Sequence, residues 1–341
     1  MSGALSPTER LQRVFSGQAV DRPPVVCPGG MMNAAIVDIM NTTGHVLPAA
    51  HSDASLMAAL ARDVQQYTGF ENIGIPFCMT VEAEVLGSAV DLGTLGCEPK
   101  IAREVFSSVR EVVVKDHDKV LQDGRIGTVV QAGYQLSRQQ DIPVIGNLTG
   151  PVSTAASLVE PMTFLKELRK DPRNAHRVMA YVSEHLSRYA RLLQDNGVKI
   201  FSIADPTATG EILGPKMFAE YAVPYLNKVI ADIQAGGGQA ILHICGDMKP
   251  VKHLLPSLRP NVISTDAIVN LRGLQTEFPQ LTTMGNLSTY LLELGSSDTV
   301  AAQTERLVRD GINIIAPACG LSTSTSIANI QAMTGTVKQF A

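Results

Sequence analysis

Short apolar runs alternate along the chain with longer stretches in which apolar residues recur at helical spacing. A parallel sheet built from βα units leaves this pattern, because its strands are buried on both faces and its crossover helices on one. The runs at 25–27, 72–75, 144–147, 200–203, 240–243, 262–265, 281–284 and 312–315 read as strands, eight in all. Two units resemble each other. Asp195-Asn196-Gly197-Val198-Lys199-Ile200 leads to Asp205-Pro206, and Arg309-Asp310-Gly311-Ile312-Asn313-Ile314 leads to Pro317-Ala318-Cys319, with a glycine closing a helix before each strand. Eight units and this partial repeat predict a (β/α)8 TIM barrel, an α/β fold whose function sits on the loops leaving the C-terminal strand ends. A doubly wound sheet is the alternative, but the first strand is followed by Pro28-Gly29-Gly30-Met31-Met32 and not by a dinucleotide fingerprint. Residues 81–141 are too many for one crossover helix and contain hairpin material at 89–93 and 110–114, which predicts an insertion between strands 2 and 3 placed to lie over the barrel mouth. No low-complexity linker divides the pattern, so residues 1–341 read as a single domain.

Composition narrows the partners more than the fold. With 45% hydrophobic residues the chain can bury a large core, and a net charge of -4 with its 28 basic residues scattered gives no footprint for nucleic acid or an anionic membrane surface. The chain has no tryptophan and few aromatics, so no base-stacking platform is indicated. No run approaches the length of a membrane helix, and the first twenty residues carry Glu9, Arg10 and Arg13 where a signal peptide would be apolar. Five cysteines spread over the chain suit a reducing compartment, and the expected location is the cytoplasm.

The chemistry concentrates in "HICGD", residues 243–247. In a strand, residues two apart face the same side, so His243 and Cys245 can direct their donors at one spot, at the functional end of the barrel. Cys319, in "APACG", follows the last strand and emerges at the same rim. A cysteine taken singly is more often a small core residue, which is the reading for Cys27, Cys78 and Cys97. Three N and S donors converging with a fourth position open describe instead a catalytic zinc site. Two cysteinates cancel the charge of Zn²⁺, which disfavours hydrolysis; a thiol entering the open position would lose its proton yet stay electron-rich, ready to take an alkyl group.

Several segments carry a family resemblance. They are "PTERLQRVFSGQAVDRPPV" (7–25), "PFCMTVEAEVLG" (76–87), "ADPTATGEILGPKMFAEYAVPYL" (204–226), "LHICGD" (242–247), "MGNLST" (284–289) and "IIAPACGLSTST" (314–325). Over nearly its whole length the chain resembles the uroporphyrinogen decarboxylase superfamily, and within it the zinc-dependent methylcobamide:coenzyme M methyltransferases. The resemblance implies a barrel fold, zinc ligands His243, Cys245 and Cys319, and transfer of a methyl group from a methylated corrinoid (methylcobalamin-like) carried by a partner protein to a small thiol such as coenzyme M. Related enzymes that demethylate methoxy or methylamine donors onto a corrinoid protein are the alternative. A decarboxylase is disfavoured, because the loop 28–33 lacks the cations that would grip a porphyrin's carboxylates. The acceptor stays open between coenzyme M, another thiol and a folate.

Other polar residues at the strand ends complete the expectations. Asp205 is a catalytic candidate, placed to orient substrate or lend an oxygen to the metal; preceding Pro206, it can equally cap its loop. Glu82 is the second catalytic candidate, with Glu84 beside it, although acids opening a helical stretch often serve its dipole. Asp266 and Asn286 end strands and are candidates for binding the cofactor or substrate. Ser322 and Thr323 belong to a hydroxyl-rich loop suited to an anionic tail, or simply to helix capping.

Overall fold

The computed structural model describes residues 4–138 and 141–340. Seven strands form one parallel, curled sheet: β1 (Ile73–Ile75), β4 (Val144–Thr149), β5 (Ile200–Ala204), β6 (Gln239–Ile244), β7 (Val262–Thr265), β8 (Thr283–Leu287) and β9 (Ile314–Pro317), paired in that order. The first expected strand, at 25–27, closes the barrel but is reduced to a single bridge, Val25 to Ile315. On one side Val26 N donates to Ile315 O at 2.9 Å; on the other Glu71 N donates to Val25 O at 2.8 Å. Asn72 substitutes a side chain for the missing ladder, accepting from Cys27 N and donating to Cys27 O, both at 2.8 Å. Pro23, Pro24 and Pro28 flank this stave and carry no N–H, which keeps it short. The chain therefore forms the expected (β/α)8 barrel with one abbreviated stave.

Alternation along the strands sorts inside from outside. Val26, Ile145, Ile200, Ile241, Val262, Met284, Ile314 and Ala316 pack together in the barrel interior, and Leu11 and Val14 of the helix Pro7–Phe15 plug its N-terminal end. Two residues further along the same faces come Asn147, Ser202, His243, Ser264 and Asn286, all buried. The interior is thus apolar below and polar above, and the polar layer is the floor of the site. The outer faces pack against the helices in a second, larger core.

The N-terminal rim is locked by ions. Glu71 accepts from Arg10 at 2.6 Å, from Arg22 at 2.8 Å and from Val25 N at 3.0 Å, while Arg10 also pairs with Asp21 at 2.7 Å. The conspicuous opening segment of the chain is therefore structural, tying the plug helix and the abbreviated stave to β1.

The insertion between the second and third barrel strands carries an antiparallel hairpin, β2 (Ala89–Asp91) with β3 (Lys100–Arg103). The first half of the expected hairpin material is correct and the second is not: 110–114 forms no strand. Arg177 claims part of its backbone, donating to Val112 O at 2.8 Å and Arg110 O at 3.2 Å, and Glu167 accepts from Val109 N just before it at 2.8 Å. The last two barrel strands begin at Thr283 and Ile314, two residues later than their hydrophobic runs, because Leu281 N closes a turn onto Phe278 O and Ile312 N closes one onto Leu307 O. Gly197 and Gly311, at φ 98° and 76°, end their helices as the repeated sequence predicts. No helix among the described residues is long and apolar enough to cross a membrane.

Candidate metal centre

His243 is the last but one residue of β6, buried completely, and Cys245 lies just beyond the strand on the same face. The chain then turns at Gly246, whose φ of 71° ends the extended run. Cys319 arrives from the far side of the barrel, two residues after β9, where Ala318 N donates to Leu287 O at 2.8 Å. His243 Nε2 stands 3.2 Å from Cys245 Sγ, and the two sulfurs are 3.8 Å apart. All three donors lie within 4.8 Å of one another, and among the described residues no other such group of three or more occurs.

These separations suit one small ion. Zn–S bonds of about 2.3 Å and a Zn–N bond of about 2.0 Å at tetrahedral angles separate the donors by about 3.5–3.8 Å. His243 Nδ1 is 2.9 Å from the buried hydroxyl of Ser264, one strand over on β7. With Nδ1–H donating to Ser264 Oγ, Nε2 presents its lone pair to the sulfurs, the tautomer a ligand needs. The two sulfurs lie within reach of a weak hydrogen bond, and that contact together with the nearby His243 pulls Cys319 down to about 4 against the opposing effect of burial. Cys245 is pushed up, first by that shared hydrogen bond, then by burial and the negative charges of Cys319, Asp266 and Asp205.

The other expected site residues fall in distinct places. Asp205 is fully buried with both oxygens engaged: Val152 N donates at 2.9 Å, Ser153 N at 2.8 Å and Ser153 Oγ at 2.6 Å. It sits on the N-terminus of the short helix Pro151–Ala156, close enough that a Cβ at Gly150 would lie 2.3 Å from its own Cβ. Burial pushes its carboxyl up to about 6, and the hydrogen bonds work against that. Glu82 is likewise buried, accepting from Thr149 N at 2.7 Å and Thr149 Oγ1 at 3.0 Å, and burial raises its carboxyl. Glu84 pairs instead with Arg125 at 2.6 Å.

Asp266 is half-buried at the end of β7, two residues beyond Ser264 and within electrostatic reach of Cys245. Asn286 holds that loop, its Nδ2 donating to Asp266 O and Val269 O at 2.8 Å. In the loop after Cys319, Ser322 and Ser324 hydroxyls are 2.7 Å apart, Ser324 donates to Glu293 at 2.8 Å, and Thr323 donates to Gly96 O at 3.0 Å. Gly96 belongs to the hairpin tip, so the insertion does reach the rim. It brings along Glu98, absent from the candidates read in sequence, whose carboxylate accepts from Asn33 Nδ2 at 3.1 Å and interacts with Cys319. Glu98 and Ser264 are the two residues the sequence reading missed. Ser264 had a signal, being a polar residue at an inward position of a correctly placed strand; Glu98 had none, because its place depends on how the hairpin folds back.

Comparison with known proteins adds a lineage to this geometry. The family model described as uroporphyrinogen decarboxylase (URO-D) matches residues 6–340. The methylcobamide:CoM methyltransferase MtbA of Methanosarcina acetivorans is 30% identical over 338 residues, 98% of each chain. The methylcobamide:CoM methyltransferase MtaA of Methanosarcina barkeri is 27% identical over 95% of each chain. Among solved structures, a methyltransferase from Methanosarcina mazei superposes with a TM-score of 0.90 at 26% identity, covering 98% of this chain and 99% of that one.

Proposed function

Because the chain belongs to the uroporphyrinogen decarboxylase family, we propose that it is a methyltransferase moving a methyl group from a methylated corrinoid, carried by a partner protein, to a small thiol at a zinc centre. The observation that carries this reading is the gathering of His243 Nε2, Cys245 Sγ and Cys319 Sγ within 4.8 Å at the barrel mouth. The relatives named for methylcobamide:CoM methyl transfer, alike over nearly the full chain, support the same reaction.

His243, Cys245 and Cys319 would hold the zinc, with Ser264 fixing the imidazole. Zinc held by these residues would supply acidification of a bound thiol, and with two thiolates already donating to it would leave that sulfur nucleophilic. The polypeptide does the rest by positioning. The apolar layer of Ile241, Met284 and Ala316 in the barrel interior keeps water from reaching the site from below. In the transfer an S–C bond forms as the Co–C bond breaks, the electron pair stays with cobalt, and the thiol proton passes to solvent. No proton is moved on the methyl group, so neither Asp205 nor Glu82 needs to act as acid or base; we assign them to holding the rim in shape, Asp205 through the helix at Pro151 and Glu82 through Thr149.

The test combines metal analysis with turnover. Purified protein should contain one zinc per chain and convert methylcobalamin and a thiol to cob(I)alamin and the thioether, and Cys319→Ser should lose both metal and turnover. Protein without zinc, or a Cys319→Ser variant of undiminished rate, would end the proposal. Methylation of cob(I)alamin by a methoxy compound without any thiol activity would point to the opposite half-reaction.

A further inference from the structure

Two adjoining cavities of about 470 and 340 Å³ form one groove between the helices Pro161–Lys170 and Gly210–Met217, sharing Leu168, Arg169, Leu213 and Met217 as lining. The groove stands on the same face as the metal centre. Both helices belong to the connections leaving β4 and β5, ahead of the long helices Pro172–Asp195 and Val223–Ala235 that return the chain to the opposite end. The second helix starts against the loop after Cys245: a Cβ at Gly210 would meet Asp247 O at 3.1 Å, and Asp247 N donates to Glu211 at 3.4 Å. It lies in the family-like segment 204–226 and supplies none of the metal donors.

The groove is preformed. The helix breaks at Gly214, where φ is 66° and ψ 171°, and runs on through Pro215 into a π-turn at Phe218–Ala222. From that turn Tyr221 donates to Leu168 O at 2.7 Å and stacks on His176, tying the two walls together. Leu168, Leu213 and Met217 make an apolar floor, and Met162 and Ile212 stand exposed at its lips.

Cations ring this floor. Lys166, Arg169, Lys170 and Lys216 are all exposed, and among the described residues none of them forms a salt bridge. The acids of the same stretch are engaged elsewhere: Glu167 with Ser108 and with Val109 N at 2.8 Å, Asp171 with Arg110 and Asn174, Glu220 with His176 at 3.5 Å, and Glu160 with the N–H groups of Met162 and Thr163. In a chain of net charge -4 this is a local excess of positive charge. An apolar floor between cationic lips complements a helix whose apolar stripe is flanked by acids. A flat anionic membrane complements it less well, because Leu168 and Met217, 2% and 7% exposed, are reached by a ridge of side chains and not by a plane.

We propose that this groove seats an acidic amphipathic helix of the protein that delivers the corrinoid, holding that carrier over the barrel mouth. The proposal rests on the corrinoid-to-thiol reading and adds a docking surface to it.

The probe is a labelled peptide helix with leucine along one stripe and glutamate elsewhere; its control carries lysine in place of glutamate. Fluorescence anisotropy should show the glutamate helix bound, with an affinity that falls as salt rises, and the lysine helix unbound. Lys166→Glu combined with Lys216→Glu should weaken the glutamate helix by about tenfold, with the circular dichroism spectrum unaltered. Of the corrinoid proteins isolated from the same cells by their corrin absorbance, one should displace the glutamate helix from the parent protein. Equal affinity for both helices, binding unaltered in the double variant, or a helix that no corrinoid protein displaces would overturn the proposal. Phosphatidylserine vesicles that bind the groove more tightly than the glutamate helix would assign it to a membrane surface and overturn it too. Displacement as expected, with no methyl passing to any thiol, would leave the docking groove standing and sink the transfer reading instead.

Discussion

At the residue scale the site depends on one hydrogen bond outside the donor set. Among the described residues Ser264 Oγ alone partners His243 Nδ1, and it is itself fully buried. Removing it leaves a buried N–H without a partner and frees the ring to rotate. Ser264→Ala should weaken zinc binding by ~10–100-fold, read by competition against a chelator, with the circular dichroism spectrum unaltered. Ser264→Thr, which keeps the hydroxyl, should restore most of the affinity. An Ala variant that binds zinc like the parent would show that the imidazole is oriented by its strand alone.

At the scale of elements, closure of the barrel is the feature most exposed to damage. The stave at 25–27 contributes one bridge, and what keeps it against β1 is Glu71, buried between Arg10 and Arg22 and accepting from Val25 N. Breaking a buried ion pair from one side strands the remaining charges. Glu71→Ala leaves two nearly buried guanidiniums, one of them still paired with Asp21, and should cost ~3–5 kcal/mol of stability, measured by urea denaturation. Since the lock lies at the end of the barrel opposite the metal, zinc content of the folded fraction should be unchanged. A loss below 1 kcal/mol would mean that Asp21 and solvent compensate both arginines.

At the scale of the whole molecule, buried imidazoles set the response to acid. His51 and His185 are buried with both ring nitrogens lacking a protein partner, and burial, reinforced by Arg125 for His51 and by His117 for His185, lowers them to about 4 and about 3. In the unfolded chain each titrates near ~6.5. Between that value and the folded one the unfolded state binds more protons, so stability falls as pH drops, by up to ~1.4 kcal/mol per pH unit for each group. Asp205, held up to about 6, works the other way between 3.8 and 6, because there the folded state binds the extra proton. His185→Leu should flatten the decline of Tm from pH 6.5 to 4 and raise Tm at the acid end, the difference from the parent cancelling contributions common to both. An equally steep decline in the variant would show that His185 does not stay neutral in the folded protein.

Local periodicity was enough to reveal the staves, the barrel, the two helix-ending glycines and the pairing of His243 with Cys245, because burial on both faces and a two-residue repeat are properties of neighbouring residues. The arrival of Cys319 at the same rim followed from counting strands, since parallel staves place all their C-terminal ends together. Strand starts shifted where turns claimed the first residues of a hydrophobic run, and the strand expected at 110–114 is absent because Arg177, far along the chain, takes its carbonyls while Glu167 holds Val109 just before it. The same kind of distant contact engages both oxygens of Asp205 at a helix start, fills the serine loop with Glu293 and ties Glu98 to Asn33. Sequence by itself determined which side chains could face the barrel mouth. Only the tertiary structure decided which of them were already satisfied by other parts of the chain, because hydrogen-bond partners and charge neighbours are set by distance in space and leave no periodic trace along the chain.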